Sequence, residues 1–326
     1  MRVLVHSAWG EGRAVEQLVR SAALDRFRVH SLTTDPLEAD VILFAETVHF
    51  EDPTWRTVRT HPYLARYREK CFLYNEADHP WCVLPGLYCS MPRRAFQPAR
   101  QKAFGYLYTM NEQVRGPSPA IERRWLYSFI GSANHESRRR ILRLRDARAL
   151  LEDTSTFNIW LPVEPGERER RERRYAEVMQ ASLFALCPRG AGTSSYRLYE
   201  AMKLGIAPVV VGDEWVAPEG PAWHTFLLRV AEAEVARLPE LLRGREAEAL
   251  ERGKRARRAW EEHFAPEVQF HRAAEACGEL LKLRRVPESV ARYRPSVERA
   301  RTTVHRWLHE GKMYLRARLR ASRPGR

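Results

Sequence analysis

The stretch 183–218, LFALCPRGAGTSSYRLYEAMKLGIAPVVVGDEWVAP, decides how the chain is read. An apolar run from Leu183 to Cys187 enters a glycine-containing turn, a helix with one polar face follows from about Thr193 to Leu204, and Ile206 to Val211 is a second apolar run. Parallel strands need such a crossover, and free N–H groups at a helix start attract anions. The unit is therefore expected to bind a phosphate-bearing ligand. Gly190 and Gly192 let backbone approach a ligand closely, and Thr193, Ser194 and Ser195 offer hydroxyls and N–H groups at the helix start. Arg197 and Glu200 follow on nearly one face, about 4.5 Å apart along the axis. That spacing suits a cation on a diphosphate and a carboxylate on a ribose. On an isolated helix the pair would read as a surface ion pair worth a few tenths of a kcal/mol; the glycine turn before it and the strand after it favour the ligand.

At 326 residues the chain exceeds what one core usually organises, so two domains are expected. It is 44% hydrophobic and 29% charged, a globular composition, and no apolar run approaches the roughly 20 residues of a bilayer span. MRVLVHSAWGEG at the start has no long apolar segment and reads as a first strand, not a secretion signal. Cys71, Cys82, Cys89, Cys187 and Cys277 are too far apart for metal-binding pairs, and several sit in apolar runs, so a reduced cytoplasmic compartment is expected. The net charge is +14, and residues 296–326 carry nine Arg or Lys against two Glu, an excess of seven that is half of it.

Upstream, strands are expected at Arg2 to Ala8, Phe27 to Leu32, Val41 to Ala45, Cys71 to Tyr74, Leu87 to Ser90 and Phe104 to Met110, with helices near Gly12 to Leu24 and Trp55 to Tyr67. The polar stretch from Asn111 to Arg124 reads as a linker. A second alternating series begins with a strand at Leu126 to Ile130, an Arg-rich helix from about Glu136 to Leu150 and a strand at Thr156 to Leu161. The run PGERERRERRYAEVMQAS is a helix whose Tyr175, Val178 and Ala181 can face a core. Beyond the opening unit come a strand at Thr225 to Val230 and helices over about Ala231 to Leu283. Alternation of this kind means parallel sheets covered on both faces. The expected domains are 1–118, 119–293 and a basic amphipathic helix over 294–326.

Open parallel sheets bind ligands outside the carboxyl ends of their strands. That rule selects Trp9 to Glu11, Glu46 to His49, Asn75 to His79, Gly131 to Arg138, Pro188 to Arg197 (with Arg189) and Gly212 to Trp215. If the two α/β halves face each other, these loops converge on one cleft.

FIGSANHESRRRIL (129–142) and SLFALCPRGAGTSSYRLYEAMKLGIAPVVVGDEWVAPEGPAW (182–223) carry a resemblance. The second has a Phe-x-Leu-Cys-Pro-x-Gly strand exit, a Ser-x-Arg-x-x-Glu-Ala helix, a Gly-x-x-Pro-Val strand and an Asp-x-Trp-x-x-Pro loop. Together they resemble the signature of exostosin-type glycosyltransferases, over roughly Tyr127 to Trp223. The resemblance implies a GT-B architecture, two Rossmann-like domains facing a cleft, and a nucleotide-sugar, UDP- or GDP-linked, in the C-terminal one. It implies inverting transfer of a hexosyl or glycuronosyl group without an essential metal. Carried onto this sequence, Ser195 and Arg197 contact the diphosphate, Glu200 the ribose, Gly131, Ser132 and Arg138 the other side of the donor, and Asp213 and Trp215 lie close to the sugar. The acceptor is expected to be a saccharide or lipid-linked glycan. The lack of an anchor of the type found in Golgi members suggests a bacterial-style soluble form.

Inversion requires a base to take the acceptor's proton. Asp78 and Glu46 are the candidates, with Glu76 and His79 behind them; NEADHPW (75–81) also reads as a turn in which Asp78 only caps backbone. His135 is expected to be a hydrogen-bonding loop residue, and the lack of His or carboxylate pairs at metal spacing argues against a metal site. The C-terminal basic helix has three readings: an apolar face packed on the domains, reversible binding to an anionic membrane at the inner face, or nucleic-acid binding, ranked last because no nucleic-acid motif accompanies the charge. A non-catalytic nucleotide-sugar or glycan-binding protein of the same fold is the alternative function.

Overall fold

In the computed structural model, residues 1–47, 51–52, 54–118, 121–157, 164 and 166–291 are described. The expected basic helix over 294–326, His49, and positions 158–161 of the expected strand at Thr156 to Leu161 lie outside them. The described residues form two units: those within 1–91, 95–104 and 269–291 make the first, and those within 92–94 and 105–268 the second.

The first unit is built on β1 (Arg2–His6), α1 (Arg13–Leu24), β2 (Ser31–Leu32), β3 (Val41–Glu46), α2 (Arg56–Arg59), α3 (Pro62–Tyr67), β4 (Cys71–Asn75), β5 (Gly86–Tyr88) and β6 (Gln101–Ala103). All pairings are parallel, in the order β2-β1-β3-β4-β5-β6. β3 and β4 are buried along their whole length, as strands covered on both faces must be. α1 packs through Ala14, Leu18 and Ser21.

The second unit contains β7 (Trp125–Gly131), α4 (Glu136–Leu142), β8 (Ala149–Asp153), α5 (Glu167–Gln180), β9 (Ser182–Pro188), α6 (Tyr196–Leu204), β10 (Ala207–Val211), β11 (Leu228–Val230), α7 (Leu238–Arg243) and α8 (Ala249–His263). Its strands are also all parallel, in the order β11-β10-β9-β7-β8. Gly205 ends α6 with φ 68°, a left-handed cap that favours glycine, and turns the chain straight into β10. The final helices are α9 (Pro266–Leu283) and α10 (Glu288–Ala291).

Several expectations are corrected. The expected linker is tied into the second unit: Asn111 Nδ2 donates to the Glu172 carbonyl at 2.7 Å and the Ser118 N–H to Gln180 Oε1 at 2.8 Å. The division falls at 104/105, not at 118/119. From Gln269 the chain returns to the first unit, where the Phe270 N–H donates to Ser21 Oγ at 2.8 Å and Gln17 Nε2 to Gln269 Oε1 at 3.0 Å. Residues 104–110 are not a strand. Their aromatics serve packing instead, Tyr106 stacking on Tyr196 at 3.7 Å, and the strand is the preceding β6. The Arg-rich helix stops at Leu142, and Ala149–Asp153 pairs with β7 as an edge strand whose half-burial leaves no long apolar run to read. Thr156 and Phe157, the described start of the strand expected there, are not in a strand.

Candidate functional site

Each sheet reverses its strand order at one place, and ligands of open α/β sheets bind at that crevice. In the second unit it lies between β7 and β9, because β8 was added on one side of β7 and β9 on the other. Gly131 ends β7 and Pro188 ends β9. Arg138, in the first turn of α4, reaches across: its Nε donates to the Arg189 carbonyl at 3.0 Å, Nη1 to the Ser132 carbonyl at 3.4 Å and Nη2 to the Pro188 carbonyl at 3.4 Å. Gly190 permits this approach, since a Cβ there would stand 2.8 Å from Arg138 Nη2. Arg189 folds back on its own loop, donating to the Gly190 and Ala191 carbonyls at 3.4 and 3.2 Å. His135 caps α4, its Nδ1 accepting from the Ser137 N–H at 3.3 Å, the loop role expected of it.

Arg197 and Glu200 are not a surface pair: they are 9% and 4% exposed. The Arg197 guanidinium lies over Phe129 at 4.7 Å and Tyr175 at 5.5 Å, and Nη2 donates to the Ile130 carbonyl at 2.6 Å. A Cβ on Gly131 would sit 2.9 Å from that same Nη2. Arg197 Nε is buried with no hydrogen-bond partner among the described residues. Glu200 accepts from the Tyr175 hydroxyl at 2.6 Å. Burial raises the Glu200 pKa against the opposing effects of that hydrogen bond and of Arg197. Ser195 occupies the N-cap of α6, but its side chain makes no cap hydrogen bond. Phe129 and Tyr175 complete this cluster. Tyr175 stands at a core-facing position of its helix, but its hydrogen bond to Glu200 needs α5 and α6 side by side, which spacing does not disclose.

Asp213 and Trp215 sit in the loop after β10. Asp213 is held in a reciprocal pair, its N–H donating to Glu232 Oε1 at 3.3 Å while Oδ1 accepts from the Glu232 N–H at 3.2 Å. Arg229 Nη2 donates to the carbonyls of Gly212, Asp213 and Trp215 at 3.3, 2.9 and 3.1 Å. Trp215 is 3% exposed, edge-on to Trp223 at 5.3 Å, and its indole N–H has no partner among the described residues.

In the first unit the order reverses between β1 and β3. Glu46, the last residue of β3, lies there at 1% exposure. Its Oε1 accepts from the Ala8 N–H at 2.7 Å and Oε2 from the Ser7 hydroxyl at 3.0 Å, both just beyond β1. Burial pushes the Glu46 pKa up to about 7 even though these two donors oppose the shift. Asp78 is exposed, outside such an environment. In NEADHPW the turn is made by Asn75, whose Oδ1 accepts from the Ala77 N–H at 2.9 Å, and buried Glu76 accepts from the Tyr74 hydroxyl at 3.3 Å. His79 is half-buried.

The first unit also holds a cavity of about 590 Å³ lined by Arg56, Arg59, Arg68, Arg100, Trp81 and Thr60 among others. Arg59 lies over the Trp81 ring at 5.2 Å, and Arg100 forms a two-pronged ion pair with Glu288 at 2.7 Å on each side. The sequence gives no sign of it, because its walls come from four separate segments. No helix among the described residues is long and apolar enough to cross a membrane.

Residues 89–244 match the model of the Exostosin GT47 domain. The Exostosin-1 homolog of Caenorhabditis elegans is 39% identical over 70 residues, 21% of this chain and 18% of that protein. A probable glucuronosyltransferase of Oryza sativa subsp. japonica is 41% identical over 70 residues, 21% of this chain and 17% of its own length. The chain thus spans less than a fifth of these curated relatives. Among solved structures, MurG of Acinetobacter baumannii aligns over 85% of this chain and 99% of its own, with a TM-score of 0.36 and 8% identity. Residues 89–244 are thus similar to the GT47 domain of the exostosin-type glycosyltransferases.

Proposed function

We propose that the protein is an inverting glycosyltransferase that takes a sugar from a UDP- or GDP-linked donor to a saccharide or lipid-linked glycan. The observation that carries the reading is the convergence of Gly131, Ser132, Arg138, Gly190 and the start of α6 at the strand-order reversal of the second unit, inside the segment that matches the GT47 domain. Two Rossmann-like parallel units in one chain also agree with a GT-B enzyme.

The donor is assigned to the second unit. Charge on the departing nucleoside diphosphate is met by Arg138, Arg197 and the N–H groups opening α6, fixed before the reaction by their backbone partners. The reading gives this role to side chains, not to an ion, because cations already line the crevice. Asp213 and Trp215 are assigned to the sugar. Proton acceptance is assigned to Glu46: the acceptor oxygen bonds to the anomeric carbon, the bond to the diphosphate breaks, and the proton passes to a carboxylate. A base whose pKa lies near 7 is suited to that task at neutral pH. The cavity of the first unit, with Trp81 and its arginines, suits a saccharide bearing acidic groups.

Melting the intact chain with UDP-, GDP- and CMP-sugars tests the donor assignment. A rise in Tm with one nucleotide class, weakened in Arg138→Ala, is the expected result. No rise with any nucleotide or nucleotide-sugar would remove the proposal.

A further inference from the structure

α9 places residues four apart on one face, so His271 and Glu275 stand one turn apart on the same side. His30, just ahead of β2, meets them, and one donor atom from each of the three lies within 4.8 Å of the other two. The His30 side chain is 3% exposed, and its Nε2 lies 2.7 Å from Glu275 Oε1, yet Nε2 makes no directed hydrogen bond. His271 Nδ1 is buried and also lacks a hydrogen-bond partner among the described residues. Packing fixes both rings: His271 stacks on Phe27 at 4.0 Å with planes 21° apart and lies 5.0 Å from the His30 ring.

We infer that His30, His271 and Glu275 form a binding site for a transition-metal ion of the zinc, cobalt or nickel type, which would join α9 to the chain entering β2. Two imidazoles and one carboxylate select such ions over Mg²⁺ and Ca²⁺, which prefer all-oxygen sets. A tetrahedral set with bonds of about 2.0–2.1 Å holds its donors roughly 3.4 Å apart, so the His30–Glu275 pair opens from 2.7 Å while side-chain rotation draws in the wider pairs, which lie within 4.8 Å. Glu275 is 45% exposed, which leaves an open side for water. The Met1 ammonium nitrogen lies 3.1 Å from His30 Nδ1, on the opposite side of the ring from Glu275. The sequence expectation of no metal site overlooks this group because His30 is remote from the His271 and Glu275 pair.

The full chain, stripped with chelator, is titrated with Co²⁺ while its visible ligand-field bands are recorded, and with Zn²⁺ in a calorimeter and in melting experiments. One saturable equivalent, new visible bands and a raised Tm are expected, with no competition from Mg²⁺. His271→Ala and Glu275→Gln should bind at least tenfold more weakly, whereas His224→Ala, at an exposed position of the second unit, should bind as wild type. Should His271→Ala fold poorly, Glu275→Gln decides alone, since that side chain is half-exposed. No saturable stoichiometric binding, or wild-type affinity in Glu275→Gln, would overturn the inference.

Discussion

Replacing Glu46 by Gln removes a titration while nearly keeping a shape. The Gln Oε1 can still accept from the Ala8 N–H, and its amide can turn toward Ser7 Oγ. Burial raises the carboxyl from 4.5 to about 7. At about 1.4 kcal/mol per unit, ionisation in the folded chain is less favourable than in the unfolded one by roughly 3 kcal/mol. Below pH 4.5 both states hold the proton and this contribution is fully present. Between 4.5 and 7 only the unfolded chain gives it up, so wild-type stability falls, and above 7 the loss is complete. Urea denaturation should find the two proteins within about 1 kcal/mol of each other at pH 4 and Glu46→Gln more stable by roughly 3 kcal/mol at pH 8. The variant should keep the donor-induced Tm shift and lose transfer. A stability difference that does not change with pH would refute the buried-carboxylate reasoning, and normal turnover would move the base elsewhere.

Arg197→Ala should weaken donor binding and also destabilise the second unit by about 3 kcal/mol, because it leaves Glu200 buried without its neighbouring cation; denaturation and donor titration together separate the two effects. Tyr175→Phe removes the 2.6 Å donor to Glu200 and should cost about 1–3 kcal/mol, read by urea denaturation. Gly190→Ala must displace Arg138, which a Cβ would meet at 2.8 Å, and calorimetry should show at least tenfold weaker donor binding with little change in Tm. Arg59→Ala combined with Trp81→Ala should raise the acceptor KM and leave the donor affinity unchanged; an unchanged KM would remove the cavity from the acceptor reading.

The second sheet was legible where its strands are continuous apolar runs. β7, β9 and β10 fall close to where hydrophobic patterning puts them, because a strand buried on both faces has no polar positions to confuse the period. The edge strand β8 and the short β6 were not legible, since half-buried or three-residue strands carry little pattern. At the site, the loops around Gly131, Arg138 and Pro188–Arg197 could be chosen by the strand-end rule alone. Their partners could not be. Phe129 beneath two guanidinium groups and Tyr175 on Glu200 follow from how neighbouring elements pack.

By itself the sequence determined that the chain alternates strands with helices, that a glycine turn feeds the Arg197 and Glu200 helix, and that the exostosin-type signature occupies 182–223, because these are local patterns of side-chain type and spacing. Only the tertiary structure decided which charged residues are buried, and so which are tuned. As letters, Asp78 ranked ahead of Glu46. Folding encloses Glu46 against Ser7 and Ala8 and leaves Asp78 in solvent, and the cost of holding a charge away from water separates them.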